Sequence, residues 1–206
     1  MAKITQIGKL FCCYCVEGEN GSILVDTQGE GEREFLEQWL KDKHVKLIVL
    51  THGHIDHVAN AAYLSQKLGA PIAMHPGDLP LIQNNRARKL HASTFFGFLI
   101  KFLSTFGRKG NIDAFTPDVF LQEGDSLQEY GVDAVVKELP GHTLGSIGLM
   151  VDGDQLIAGD AVANYIVPTV AVVFEDEMQM LESAAWVSEQ SGAKDIYPGH
   201  GRVIER

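Results

Sequence analysis

The sequence predicts an α/β protein in which strands are flanked by helices, and three observations carry that expectation. Residues 46–50 form a short continuous apolar run, as in a strand buried on both faces. Apolar residues at helical spacing in 32–41 and 58–68 alternate with this run and with a further strand at 71–74. The chain has 206 residues, 45% of them hydrophobic, which suits one domain with a sizeable core. The chain therefore reads as a single domain over 1–206 with an apolar insertion at about 79–116.

In chain order, residues 3–7 and 10–16 read as strands, and 22–25 returns as the second arm of a hairpin after a turn at Gly18, Asn20 and Gly21. Asp26 ends that arm, either as a support for a metal ligand or as a turn residue that caps the next helix. Phe35, Leu36, Trp39 and Leu40 give the helix over 32–41 one apolar face. The helix over 58–68 stops at Gly69, a natural terminator. His75, beside Pro76 and Gly77, reads as structural. Residues 132–139 form a strand, and 147–151 pairs with 155–158 around Asp152-Gly153-Asp154. Met178, Leu181 and Ala185 suggest the buried face of a last helix, and 194–197 a last strand.

Composition narrows the function. A formal net charge of −10 disfavours a polyanionic partner, so no nucleic acid is expected. Arg86, Arg88 and Lys89 are a candidate local basic patch and read as solvated charges. Cys12, Cys13 and Cys15 are too few and too close for a disulfide framework. They read as small buried hydrophobes, with a soft-metal pair at Cys13 and Cys15 as the alternative. The start Met-Ala-Lys-Ile-Thr has no apolar signal region, so a cytoplasmic location is expected. Five of the ten phenylalanines fall in 95–106. That run is too interrupted to span a membrane, which takes about 20 apolar residues. It reads as a core helix, a lid over a small-molecule substrate, or a homodimer contact.

The chemistry concentrates in Thr51-His52-Gly53-His54-Ile55-Asp56-His57, directly after the apolar run. Imidazole and carboxylate together suit a borderline divalent ion. His52 and His54 share a side of an extended segment, and Asp56 and His57 follow where a helix begins. His142, Asp160 and His200 each follow an expected strand and each lies beside a glycine. Strand ends are where α/β sheets gather ligand-binding groups.

The set His52-x-His54-x-Asp56-His57, His142, Asp160 and His200, with Asp26 in Leu-Val-Asp-Thr, resembles the metallo-β-lactamase fold superfamily over nearly the whole chain. The resemblance implies an α/β, four-layer αβ/βα sandwich with two divalent ions at one edge, zinc first, iron or manganese also suiting the donors. It assigns His52, His54 and His142 to one ion and Asp56, His57 and His200 to the other, with Asp160 bridging. It implies a hydrolase in which hydroxide, shared by the ions, attacks a thioester, lactone or phosphodiester. Asp56 would orient the water or carry its proton, and Tyr165 would serve as a lactonase-like oxyanion donor.

The presence of Asp160 is similar to the glyoxalase II, lactonase and phosphodiesterase branches rather than to the antibiotic-degrading enzymes. Only six residues follow His200, so a glutathione-binding C-terminal domain like that of glyoxalase II is not expected. Two other readings stand beside the hydrolase. One is an oxygenase resembling the persulfide dioxygenases, with a single iron on a subset such as His52, His54, His142 and Asp160. The other is a non-catalytic metal- or partner-binding protein.

Overall fold

A computed structural model of the chain describes residues 1–84, 87–92, 97–99 and 112–206. Among the described residues, two six-stranded sheets face each other. The first runs in the order β1 (Lys3–Ile7), β2 (Cys13–Glu17), β3 (Ser22–Val25), β4 (Val45–Leu50), β5 (Ile72–Met74) and β6 (Val119–Phe120). Its first three strands are antiparallel, and β3 to β6 are parallel. The second sheet is built on β7 (Ala134–Glu138), β8 (Ile147–Val151), β9 (Gln155–Asn164), β11 (Asp195–Gly201) and β12 (Ile204–Glu205). Its order is β12-β11-β9-β8-β7, and β10 (Pro168–Val170) pairs with β9.

Side-chain alternation along the strands produces the layers. Tyr14, Val16, Leu47 and Val49 point between the sheets, where they meet Val136, Leu149, Val151 and Ile157. Cys13, Cys15, Ile48 and Leu50 point the other way, onto Leu36 and Leu40 of α1 (Arg33–Leu40), Val58 of α2 (Ile55–Val58) and Leu64 of α3 (Ala61–Leu68). The outer face of the second sheet offers Leu156, Ala158, Val162 and Ile196 to Ala184 of α5 (Glu177–Ala185). The result is helix, sheet, sheet, helix, the expected αβ/βα sandwich. All three cysteines are buried and free. Cys13 and Cys15 are hydrophobes of the helix-facing core.

Several expectations change. The helix expected over 58–68 is broken into α2 and α3. The buried Asn60 lies between them, and its side chain donates to the carbonyls of Thr27 (2.8 Å) and Gly29 (2.8 Å), long-range bonds that tie the break to the loop after β3. The strand expected to end at Gly159–Asp160 runs on to Asn164. Likewise β11 extends through His200, so these two ligand candidates lie inside paired strands rather than after them. Gly159, at φ +52°, bends β9, and the β9–β11 register slips on both sides of Pro198. Such irregularities re-aim side chains without ending the pairing.

The last helix also presents a different face. Met180, Ser183 and Ala184 are buried, while Met178 and Leu181 are exposed. Ser183 Oγ donates to the Pro140 carbonyl at 2.7 Å, which rotates α5 against the 140–142 loop. Phe35 of α1 is exposed as well.

In the stretch 79–116, α4 (Leu79–Gln83) is a short helix that buries Leu81. Of the phenylalanine-rich stretch 95–106, residues 95, 96 and 100–106 lie outside the described residues, while Phe98 and Leu99 are exposed. Arg86 is outside them too. Among the described residues no helix is long and apolar enough to cross a membrane.

Leu47 is fully buried between the sheets. Leu47→Ala is expected to cost about 3 kcal/mol in stability by opening a cavity there. Chemical denaturation should record a lower midpoint at unchanged slope.

Candidate metal centre

The 51–57 loop leaves the C-terminal end of β4 and enters α2, so its four candidate ligand side chains sit at one edge of the two sheets. Thr51 ties the loop across the sandwich by accepting from the Ile147 backbone N–H at 2.8 Å. His142 arrives on the loop between β7 and β8, Asp160 on the bent part of β9, and His200 on β11. Gly199 makes this convergence sterically feasible, because a Cβ there would lie 2.0 Å from Asp160 Oδ1.

The donors fall into three overlapping groups whose ligand atoms lie within 4.8 Å of one another: His52, His54 and His142; His52, His57 and Asp160; and Asp56, His57 and His200. His142 Nε2 is 2.9 Å from His54 Nδ1. Asp160 reaches across the cluster, at 3.3 Å from His142 Nε2, 3.5 Å from His57 Nε2 and 3.1 Å from His200 Nε2. Asp56 Oδ2 lies 3.6 Å from His200 Nε2.

The outward nitrogens define the tautomers. His57 Nδ1 meets Asp26 Oδ2 at 2.9 Å, His142 Nδ1 meets the Val173 carbonyl at 2.7 Å, and His200 Nδ1 meets the Leu10 carbonyl at 2.7 Å. Carboxylates and carbonyls only accept, so these Nδ1 atoms donate. That leaves Nε2 of the neutral rings with its lone pair turned into the cluster. His52 Nε2, His57 Nε2 and Asp160 Oδ1 are buried with no hydrogen-bond partner. Buried polar atoms without partners are rare, and inward-facing lone pairs on imidazole and carboxylate are what a divalent cation takes. The residues present therefore fit a metal centre.

Proton affinities divide the same groups. Burial and the His57 charge hold His52 well below the usual histidine range. Burial and His142 push His54 down to about 3. Burial also opposes a charge on His57, yet the carboxylates of Asp160 and Asp26 outweigh it and raise that ring to about 10. His200 is raised as well, where Asp160 outweighs burial. Burial would raise Asp160, but His200, His57 and His142 hold it well below the ordinary carboxylate range.

Asp26 supports the site rather than capping a helix. Its carboxylate takes His57 Nδ1–H, the Thr51 N–H at 2.8 Å and the Thr51 hydroxyl at 2.8 Å. The Tyr165 ring stacks on His200 with centroids 5.8 Å apart and planes 24° apart. His75 stays outside the cluster; its Nδ1 accepts from the Gly77 N–H at 3.0 Å. Arg88 is not a solvated charge, since it pairs with Asp78 at 2.8 Å and Glu175 at 2.6 Å. Lys89 is exposed. Sequence reasoning missed Leu10 and Val173, which act through main-chain oxygens that any residue supplies. It also missed Asp78, whose only signal was a carboxylate in the turn after β5.

Comparison with known proteins agrees with this geometry. The sequence model of the metallo-beta-lactamase superfamily matches residues 13–200. Hydroxyacylglutathione hydrolase GloC of Haemophilus influenzae is 35% identical over 68% of this chain, and the aligned part spans 59% of that relative's length. The probable metallo-hydrolase MJ0888 of Methanocaldococcus jannaschii is 26% identical, with 99% of this chain and 94% of that protein covered. Among solved structures, TTHA1623 in a di-iron-bound form has a TM-score of 0.70 at 25% identity, covering 98% of this chain and 94% of that one. The fold is shared with the metallo-beta-lactamase family protein TTHA1429 of Thermus thermophilus, with a TM-score of 0.72, 22% identity, and 99% and 74% of the two chains covered. Two facing sheets flanked by helices, a histidine- and aspartate-lined edge and a match over most of its length make this chain a member of the metallo-beta-lactamase superfamily.

Proposed function

We propose that this protein is a hydrolase with two divalent ions that cleaves an ester-type bond in a small molecule. The observation that carries this reading is the set of buried atoms without a hydrogen-bond partner, His52 Nε2, His57 Nε2 and Asp160 Oδ1, turned into one cluster. His52, His54 and His142 would hold one ion, and Asp56, His57 and His200 the other. Asp160 would bridge, since its two oxygens approach histidines of both groups. Zinc suits this donor set best, and iron or manganese suits it as well. The di-iron-bound relative supports keeping iron in view.

Bound there, such ions would supply Lewis acidity, which lowers the pKa of a water and polarises a carbonyl or phosphoryl oxygen. The chain's own residues would do the rest. Asp56 accepts the proton of the attacking water on its carboxylate and returns it to the leaving group. Asp160 offsets positive charge at the centre of the cluster. The Nδ1–H bonds to Asp26, Val173 and Leu10 hold three rings in fixed orientation. Tyr165, stacked on His200, offers its hydroxyl to the developing oxyanion.

The name of the Haemophilus influenzae relative makes a thioester the first substrate class to try.

The purified protein is expected to contain two divalent ions per chain and to hydrolyse a member of a panel of thioesters, lactones and phosphodiesters. A chelator should abolish turnover, and added zinc should restore it. One iron per chain with oxygen consumption would establish the oxygenase instead, and bound metal with no turnover of the whole panel would favour a non-catalytic role. Asp56→Ala should lower kcat by about 100-fold or more, measured beside its metal content.

The proton affinities give a separate expectation. At neutral pH His52 and His54 are already neutral, whereas His57 (about 10) carries a proton that an ion must displace, and the raised His200 holds its proton more tightly than an ordinary histidine. Loading at Asp56, His57 and His200 should therefore release protons and tighten as pH rises from 6 to 8. Loading at the three-histidine group should depend less on pH. Zinc titration in weak buffer measures both, and a steeper dependence at the three-histidine group would contradict the assignment.

A further inference from the structure

Asp78 closes the short turn Pro76–Asp78 after β5, and it is fully buried. Its carboxylate is surrounded by donors. Oδ2 accepts from the Gly53 N–H at 2.8 Å and from the Thr143 hydroxyl at 2.7 Å. Oδ1 accepts from the Gly145 N–H at 2.9 Å and from Arg88 Nη2 at 2.8 Å. Gly53 lies between His52 and His54, and Thr143 directly follows His142. One carboxylate thus grips the peptide between two histidines of the first sheet's loop and the residue next to the third histidine on the second sheet's loop.

Arg88 extends the grip. Its Nη1 donates to Glu175 Oε2 at 2.6 Å, and the same oxygen accepts from the Leu144 N–H at 2.9 Å. The Glu175 N–H in turn donates to the Gly141 carbonyl at 2.9 Å. Residues 141–145 are held from both sides. Val173, two residues before Glu175, takes the Nδ1–H of His142. A buried carboxylate of this kind is costly to leave unpaired, so the guanidinium and the three other donors form one unit with it.

The other ligand group has different supports. His57 leans on Asp26, and His200 on the Leu10 carbonyl. Among the described residues, the hydrogen bonds of Asp78, Arg88 and Glu175 do not reach His57, His200 or Asp160 directly.

We propose that Asp78, held in place by Arg88, is a positioning residue that sets the metal affinity of the His52, His54 and His142 group selectively. The proposal rests on the two-ion reading. Its physical basis is that a ligand set split over two loops binds tightly only if the loops are already at the right separation, and supports of this kind typically change affinity by about 10–100-fold.

The test uses zinc and a chromophoric chelator on full-length protein in two backgrounds. His200→Ala leaves the three-histidine group intact, and His54→Ala leaves the Asp56, His57 and His200 group. Adding Asp78→Asn should weaken zinc about 10–100-fold in the His200→Ala background and less than about 3-fold in the His54→Ala background. Arg88→Met should repeat this selectivity, and Arg88→Lys, which keeps the cation, should recover part of the affinity. Equal losses in both backgrounds, or none in either, would overturn the proposal. Thermal melting of each metal-free variant separates a general loss of structure from a selective one. If Asp78→Asn fails to fold, Thr143→Val removes a single bond to the same carboxylate and must produce the same selectivity at smaller size. Failure of the two-ion reading would look different: wild-type protein would bind one ion and His54→Ala or His200→Ala none, whatever residue 78 is.

Discussion

Five imidazoles and two carboxylates crowd one buried edge of this protein, and the rest of the structure accommodates that crowding. Bringing such groups out of water and against one another costs free energy unless lone pairs meet a cation or a donor. The chain meets the outward half of that requirement itself. Asp26, the Leu10 carbonyl and the Val173 carbonyl each accept an Nδ1–H. The inward half is left to whatever cation the cluster binds, and the partnerless nitrogens of His52 and His57 mark where protein donors stop.

The sandwich exists to hold two unlike loop sets at fixed separation. The inter-sheet core joins Leu47 and Val49, just before the histidine-rich loop, to Leu149 and Ile157 of the second sheet. Thr51 reinforces the same junction by accepting from the Ile147 N–H. Because packed sheets do not slide freely, the ligand geometry inherits the rigidity of the core. The polar links at Asp26 and Asp78 then refine what the apolar layers have aligned coarsely.

A good part of this was legible in the sequence. The histidine-rich heptapeptide, His142, Asp160 and His200 carry the site's chemistry by residue type, and the structure brings all of them together. The alternating strands and amphipathic helices were legible because burial imposes a period of 2 or 3.6. The face of α5 was not. Met178 and Leu181 look like core by hydrophobicity, yet the small residues are buried, Ala184 against the second sheet and Ser183 on the 140–142 loop. Arg88 looked solvated for a similar reason, since its partners Asp78 and Glu175 lie 10 and 87 residues away.

The sequence by itself determined which donor atoms are available and, through patterning, that they ride on an α/β scaffold. Those are properties of residue type and of local period, and both can be read along a single chain. Only the tertiary structure decided which donors share an edge, which nitrogen of each ring faces inward, and which carboxylate supports which ligand. Those outcomes depend on contacts between distant segments, several made by main-chain oxygens, and on the bends at Gly159 and around Pro198 that turn Asp160 and His200 into the cluster from inside paired strands.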